Sequence, residues 1–398
     1  MKIIHTADWH IGQTFFEYDR RQEHHLFLLW LKAQINEQKA DALLIAGDVF
    51  DSPNPSAESQ RIYYRFLKEV TSENPQLKIV VIAGNHDSAA RLEAPNPLLE
   101  EMNVIVKGVV KRTSEGEIDY ENLIVPLTCQ GQSAALCLAV PYLRQGDYLA
   151  AESYAEGIRN MYEILYEKTK VRGLPIIAMG HLHASGAELS DNDRSERTVV
   201  GGLESVSPDS FAEGIAYTAL GHLHKPQRLA KRENVRYAGA PLPMSFSEKN
   251  YKQGVDLITL HDEVKIERLA FDTPVKLLSI PKEPKPLQEV LEEIRALPEG
   301  VVNTLSPYLE IKVLLTEPEP SLRYQVEEAL QDKSVRLARI VAATSKQAGS
   351  SRVITYEELQ TINPMDMAVD VFKREFGGDD MPEKMKNLLQ TVIQEIER

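Results

Sequence analysis

The sequence predicts an α/β protein built as a layered sandwich, with a smaller α+β domain after it. Three observations carry this. Short apolar runs alternate with helical patterns early in the chain and give way to mostly β patterns up to about residue 270. Five polar segments each follow directly on a predicted strand. Pro274, Pro281, Pro284 and Pro286 then punctuate a change of domain.

In order, residues 2–6 read as a strand and residues 18–39 as a helix, with Leu26, Leu29, Trp30 and Ala33 at helical spacing. Residues 42–46 form a strand running into Gly47-Asp48. Residues 56–71 form a helix, and residues 78–83 a strand that ends at Gly84-Asn85. A helix at 151–170 precedes strands at 175–179 and 215–220. Past residue 272 the chain reads strand, helix, strand, helix, strand, at 275–280, 287–296, 308–316, 321–331 and 335–342. The stretch SKQAGSSR at 345–352 has linker composition. Residues 353–398 read as two helices broken at Gly377-Gly378-Asp379-Asp380. The expected domains are therefore 1–272, 273–344 and 353–398, the last two joined by the linker at 345–352.

Composition narrows the class. Hydrophobic residues make up 43% of the 398 and charged residues 26%, the balance of a soluble globular protein. No apolar run approaches the ~18 residues of a membrane span. The opening MKIIHTADWH lacks the apolar core of a signal peptide. Cys129 and Cys137 are the only cysteines and form no CxxC pair, which argues against a disulfide framework and a thiolate zinc site. A cytoplasmic, membrane-free protein is expected. The net charge of −14 argues against a generally basic surface, so any nucleic-acid contact must be local. The basic stretch at 225–252, with Lys225, Arg228, Lys231, Arg232, Arg236, Lys249 and Lys252, is one candidate for it, the plainer reading being a solvated hairpin face.

The chemistry concentrates in five segments. They are Asp8-Trp9-His10, Gly47-Asp48-Val49-Phe50-Asp51, Gly84-Asn85-His86-Asp87, Gly180-His181 and Gly221-His222-Leu223-His224. Five of the ten histidines lie in them. Strand ends of open α/β sheets converge on one rim, where ligands bind. Oxygen and nitrogen donors without thiolate suit Mn²⁺, Fe²⁺ or Zn²⁺. There are too many donors for one ion, but two ions ~3.5–4 Å apart sharing a carboxylate would use them.

The five segments resemble the calcineurin-like metallophosphoesterase superfamily. HTADWHIG at 5–12, AGDVFDSPNPS at 46–56 and GNHDS at 84–88 resemble the bacterial SbcD nuclease family more closely. The resemblance implies a four-layer α/β/β/α sandwich with an α+β cap domain and a helical docking tail. It also implies two divalent ions, most simply Mn²⁺. Asp8, His10 and His224 would hold the first, Asn85, His181 and His222 the second, and Asp48 would bridge them. His86 would face the scissile phosphate, and the Asp51 carboxylate would orient it. The implied activity is 3′→5′ exonuclease on duplex DNA and endonuclease on single strands and hairpins. The family setting is DNA repair, recombination and replication, with an SbcC-type ATPase and homodimerisation within a heterotetramer.

No P-loop occurs, so ATP dependence would come from a partner. The stripe Met385, Leu388, Leu389, Val392, Ile393 and Ile396 is the expected docking element. Plainer readings go to other residues. His183 is expected to serve a loop or groove, and His5 the core. His24 and His25 are expected on a solvated face, and Trp9 packing under the loop. Ile62, Tyr63 and Phe66 suit either a dimer face or the core. The alternatives are a phosphoesterase for another ester and a metal-free scaffold.

Overall fold

In a computed structural model the described residues are 1–188, 205–316 and 319–344, with Pro382, Met385 and Lys386. The expected linker at 345–352 and the tail at 353–398, including its apolar stripe, lie outside the described residues apart from those last three. Residues 1–314 and 318–342 form one compact unit.

The chain opens with β1 (Lys2–Thr6), a short hairpin of β2 (Thr14–Phe15) and β3 (Tyr18–Asp19), and α1 (Arg21–Gln38). There follow β4 (Ala42–Ala46), α2 (Ala57–Glu73), β5 (Lys78–Ile82), the short α3 (Ala89–Glu93) and α4 (Asn96–Leu99), and β6 (Val104–Lys107). Next come β7 (Ile124–Cys129), β8 (Gln132–Ala139), α5 (Tyr154–Lys170), β9 (Ile176–His181) and β10 (Tyr217–Gly221). The strands β11 (Gln227–Leu229), β12 (Arg232–Tyr237), β13 (Gly254–Leu260) and β14 (Val264–Ala270) complete this part. The remainder is β15 (Leu277–Pro286), α6 (Leu287–Arg295), β16 (Tyr308–Leu315), α7 (Leu322–Ala329) and β17 (Arg336–Thr344).

Two six-stranded sheets result, ordered β14-β13-β1-β4-β5-β6 and β11-β12-β10-β9-β8-β7. Their central strands are parallel, as expected where crossover helices cover a sheet. One buried cluster joins the inner faces, with Ile3, Leu44, Val80 and Ile82 meeting Cys137, Ile177, Met179 and Ala219. A second lies under α1 and α2, around Phe27, Leu31, Tyr63 and Leu67. A third lies under α5, around Ile158, Met161 and Leu165. Tyr63 and Phe66 therefore belong to the core, while Ile62 is only partly buried. A separate three-stranded sheet, β15-β16-β17, packs on the hairpin through Phe15, Phe246, Val275 and Tyr308.

The expected helix at 18–39 starts later than its pattern suggests. Tyr18 and Asp19 pair with Phe15 and Thr14 in the hairpin. Asp19 Oδ1 then accepts the backbone N–H of Arg21 at 2.7 Å, which supplies the helix start with an acceptor.

Candidate metal centre

The parallel strands deliver the five polar segments to one rim. Asp8 and His10 follow β1, Asp48 follows β4, and Asn85 and His86 follow β5. His181 ends β9, and His222 follows β10. In the register of the second sheet, Gly221 lies beside His181. Several of these residues adopt left-handed backbone angles: φ is 54° at Asp8, 46° at His10, 49° at Asp48 and 105° at His222. Such angles are uncommon outside glycine and persist only where the surroundings over-determine them. Backbone bonds do so here: Asp8 N donates to Gly47 O at 3.1 Å and His10 N to Asp48 O at 3.0 Å. His222 N donates to Asp8 Oδ1 at 2.9 Å. Two glycines make the approach possible. A Cβ at Gly47 would lie 2.2 Å from His181 Nδ1, and one at Gly84 would lie 2.1 Å from Asp48 Oδ1.

The side chains converge around Asp48. Its Oδ2 lies 3.4 Å from His181 Nε2 and 3.6 Å from His10 Nε2. Three overlapping groups bring one donor atom of each residue within 4.8 Å of the others: Asp8–His10–His224, His10–Asp48–His86 and Asp8–Asp48–His181. Asn85 Oδ1 lies 2.9 Å from His181 Nε2 and 3.1 Å from His222 Nδ1. His222 therefore reaches the cluster through Asn85. His86 comes close to His10, with ring centroids 4.8 Å apart. Asp8, His10, Asp48, His181 and His224 are buried, whereas Asn85, His86 and His222 are half-buried.

This donor set fits divalent ions. Asp8 Oδ2 and both ring nitrogens of His10 are buried without a hydrogen-bond partner, and buried polar atoms are seldom left so. The electrostatics call for positive charge. Burial alone would raise Asp48, but the imidazoles of His181 and His10 hold it well below the usual carboxylate range. Burial would lower His181, yet Asp48 and Asp8 lift it to about 9. Burial, then the charge on His181, pushes His222 down to about 3. A neutral imidazole offers a lone pair without giving up a proton.

The imidazoles are also oriented. His181 Nδ1 donates to Ala46 O at 2.9 Å, which turns Nε2 toward Asp48 and Asn85. His224 Nδ1 lies 3.2 Å from Glu248 Oε1, and a carboxylate can only accept. Glu248 is fully buried, and its other oxygen accepts from Met244 N at 2.8 Å. This is the carboxylate–imidazole pairing that fixes a ligand's tautomer. Asp87 plays a comparable part for the loops. Its oxygens accept from the backbone N–H groups of Val49, Phe50 and Gly84, tying the second segment to the third. Sequence reading assigned neither residue a role. Glu248 carried no motif, while Asp87 stood as the last letter of GNHD.

Other expected residues stand as follows. His86 Nδ1 donates to Asp51 O at 2.9 Å, so Asp51 orients His86 through its main chain. The Asp51 carboxylate instead lies 3.4 Å from His10 Nδ1, because the turn after Asp48 carries that side chain toward the first segment. His183 joins none of the donor groups found among the described residues; its ring faces His222 at 6.4 Å. His5 is buried, with Nδ1 2.9 Å from the Tyr217 hydroxyl. Trp9 is buried edge-to-face against Phe27, Tyr63 and Phe66. His25 is exposed, but His24 is not on a solvated face. It is buried between the carbonyls of Trp9 and Arg20, because the N-terminal turn of α1 packs under the first segment.

Four of the seven basic residues at 225–252 bond to acidic side chains or to carbonyls within the chain. Lys225 pairs with Glu188, Arg228 with Glu233, and Arg236 with Asp256. Arg232 donates to the carbonyls of Pro208 and Phe211.

A double-sheet α/β core with a rim of aspartate, asparagine and histidine donors defines a class. The chain belongs to the calcineurin-like phosphoesterase family, whose profile matches residues 1–226. Residues 273–376 match the Type 5 capsule protein repressor C-terminal domain. Relatives over most of the chain are more specific: it is similar to bacterial proteins named as the SbcD component of the SbcCD nuclease. Identity to the one from Rhodobacter capsulatus is 39% over 363 residues, covering 87% of this chain and 89% of that protein. With the Escherichia coli K12 protein it is 28% over 409 residues, covering 99% and 97%. The Bacillus subtilis protein is 33% identical over 273 residues, covering 65% and 66%. No helix among the described residues is long and apolar enough to cross a membrane.

Proposed function

We propose that this chain is the nuclease component of an SbcCD-type complex and hydrolyses DNA phosphodiester bonds with two divalent ions, most simply Mn²⁺. The observation that carries this is the convergence of donors from five strand ends on buried Asp48. Asp8, His10 and His224 would hold one ion, Asn85, His181 and His222 the other, and Asp48 both. Bound ions supply Lewis-acid stabilisation of the phosphoryl oxygens and acidify the attacking water.

The protein's own groups do the rest. Glu248 holds the His224 ring with Nε2 toward the site. Ala46 O does the same for His181. The half-buried His86 is fixed at Nδ1 by Asp51 O, which leaves Nε2 for a substrate oxygen. There it acts as acid or hydrogen-bond donor to the departing oxygen. The Asp51 carboxylate lies near His10 Nδ1, at 3.4 Å, at the edge of the site.

Exonuclease action on duplex ends, endonuclease action on single strands and hairpins, and a place in DNA repair, recombination and replication extend the same reading. So do a cytoplasmic location, a homodimer, the domain limits at 272 and 344, and docking of an SbcC-type ATPase on residues 353–398. The test is a purified full chain assayed with Mn²⁺ on hairpin and duplex DNA and on p-nitrophenyl phosphate esters, beside Asp48→Ala. DNA cleavage lost in Asp48→Ala, together with bound metal, is the expected result. Hydrolysis of the small esters without any DNA cleavage would favour a phosphoesterase for another substrate.

A further inference from the structure

Arg20 is among the largest side chains wholly enclosed by the protein, at 1% exposure. Enclosing a guanidinium is unfavourable unless its donors are matched. Its partners lie on three separate elements. Nε and Nη2 donate to the two oxygens of Glu23 at 3.1 and 3.0 Å. Nη1 donates to Gln13 Oε1 at 2.7 Å and to Pro243 O at 2.8 Å. Glu23 in turn accepts the hydroxyl of Tyr308 at 2.7 Å, from strand β16 of the three-stranded sheet. The guanidinium of Arg336 lies over the Tyr308 ring, 3.9 Å from its centroid.

Two of these partners lead to donors of the first ion. Gln13 N closes a turn on His10 O at 3.0 Å. Met244, next to Pro243, gives its N–H to Glu248, whose other oxygen faces His224 Nδ1. The donors of the second ion are held elsewhere. His181 is fixed by Ala46 O, and His222 by Asp8 and Asn85.

We propose that Arg20 and Tyr308 are positioning residues for the first metal site, so that the bond from the Tyr308 hydroxyl to Glu23, relayed through Arg20, sets that site's affinity. The proposal rests on the assignment of His10 and His224 to that ion. Without the Tyr308 hydroxyl, Glu23 and the Arg20 fork paired with it lose an anchor. The Gln13 and Pro243 segments, held by Nη1 of the same guanidinium, are then less firmly placed. The second site meets this network only indirectly, through Asp8 and the shared Asp48.

The test is calorimetric titration of the full chain with Mn²⁺ in wild type, Tyr308→Phe, Tyr18→Phe and Arg20→Lys. Tyr18→Phe is the control. It removes another hydroxyl bond to the same sheet, Tyr18 to Leu337 O at 3.1 Å, that leads to neither ligand. Partners of metal ligands are worth ~10–100-fold in affinity, and Tyr308 is further removed, so Tyr308→Phe should weaken one of two sites by roughly threefold to tenfold. Lysine cannot reproduce the forked contacts, so Arg20→Lys should weaken the same site by about 10–100-fold. Tyr18→Phe should bind both ions as wild type does. Should Arg20→Lys fail to fold, Tyr308→Phe decides alone. Unchanged affinity in Tyr308→Phe, an equal loss in Tyr18→Phe, or equal weakening of both sites overturns the proposal. A wild-type chain that binds no Mn²⁺ removes the metal assignment itself, and the proposal with it.

Discussion

Glu248→Gln should weaken Mn²⁺ binding at the His224 site while leaving the fold largely intact. The wild-type carboxylate takes His224 Nδ1 at one oxygen and Met244 N at the other, with the Ser245 hydroxyl 3.5 Å from the first. A glutamine has one oxygen and one NH₂ group, so one of the two donors meets another donor. If the oxygen stays with Met244 N, His224 loses the acceptor that keeps its proton on Nδ1. The ring can then protonate at Nε2, the nitrogen needed for a cation. Loss of such a partner costs ~10–100-fold in metal affinity, or about 1.4–2.7 kcal/mol. If the oxygen turns to His224 instead, the buried Met244 N–H is left unpaired, at about 1–3 kcal/mol of stability. Full burial of Glu248 removes the easy escape of hydration. Mn²⁺ titration and urea unfolding of the full chain, side by side, measure both branches. Turnover on DNA should recover partly at high Mn²⁺. Affinity within twofold of wild type, with an unchanged unfolding midpoint, would refute the reasoning.

Further outcomes are expected. His86→Gln should keep both ions and DNA affinity while lowering turnover by roughly 10²–10⁴-fold, seen by metal analysis and single-turnover kinetics; lost metal would make His86 a ligand. Stability should fall as pH drops from about 6.5 to 4. Burial holds His5 and His24 down at about 4, so the unfolded chain takes up protons there that the native protein refuses. Each contributes on the order of 3 kcal/mol over that window, and His24→Gln should flatten the slope in urea unfolding at graded pH. A chain ending at Lys346 should keep its metal and basal nuclease activity but no longer co-purify with an SbcC-type ATPase. Retained binding would move the docking element elsewhere.

The sequence by itself determined the core strands β1, β4, β5, β9 and β10, the longer helices and the polar segments. Strand β1 at Lys2–Thr6 and β4 at Ala42–Ala46 are read directly from their apolar runs, because a buried parallel strand is a local pattern. The position of Asp8, Asp48, Asn85, His181 and His222 at one rim follows from strand polarity, since parallel strands share one carboxyl end. Only the tertiary structure decided what supports those residues. Glu248 is 24 residues from His224 and Tyr308 is 285 residues from Glu23, separations at which no periodicity links two side chains. Whether a charge faces solvent or an internal partner is also a long-range matter. Arg236 finds Asp256, and His24 goes under Trp9, although both look like surface residues in sequence. The left-handed angles at Asp8, His10 and Asp48 were equally hidden, because these residue types prefer other conformations on their own. They are held there by contacts between loops, such as Asp8 N to Gly47 O and His10 N to Asp48 O, that exist only once the sheet has brought the strand ends together.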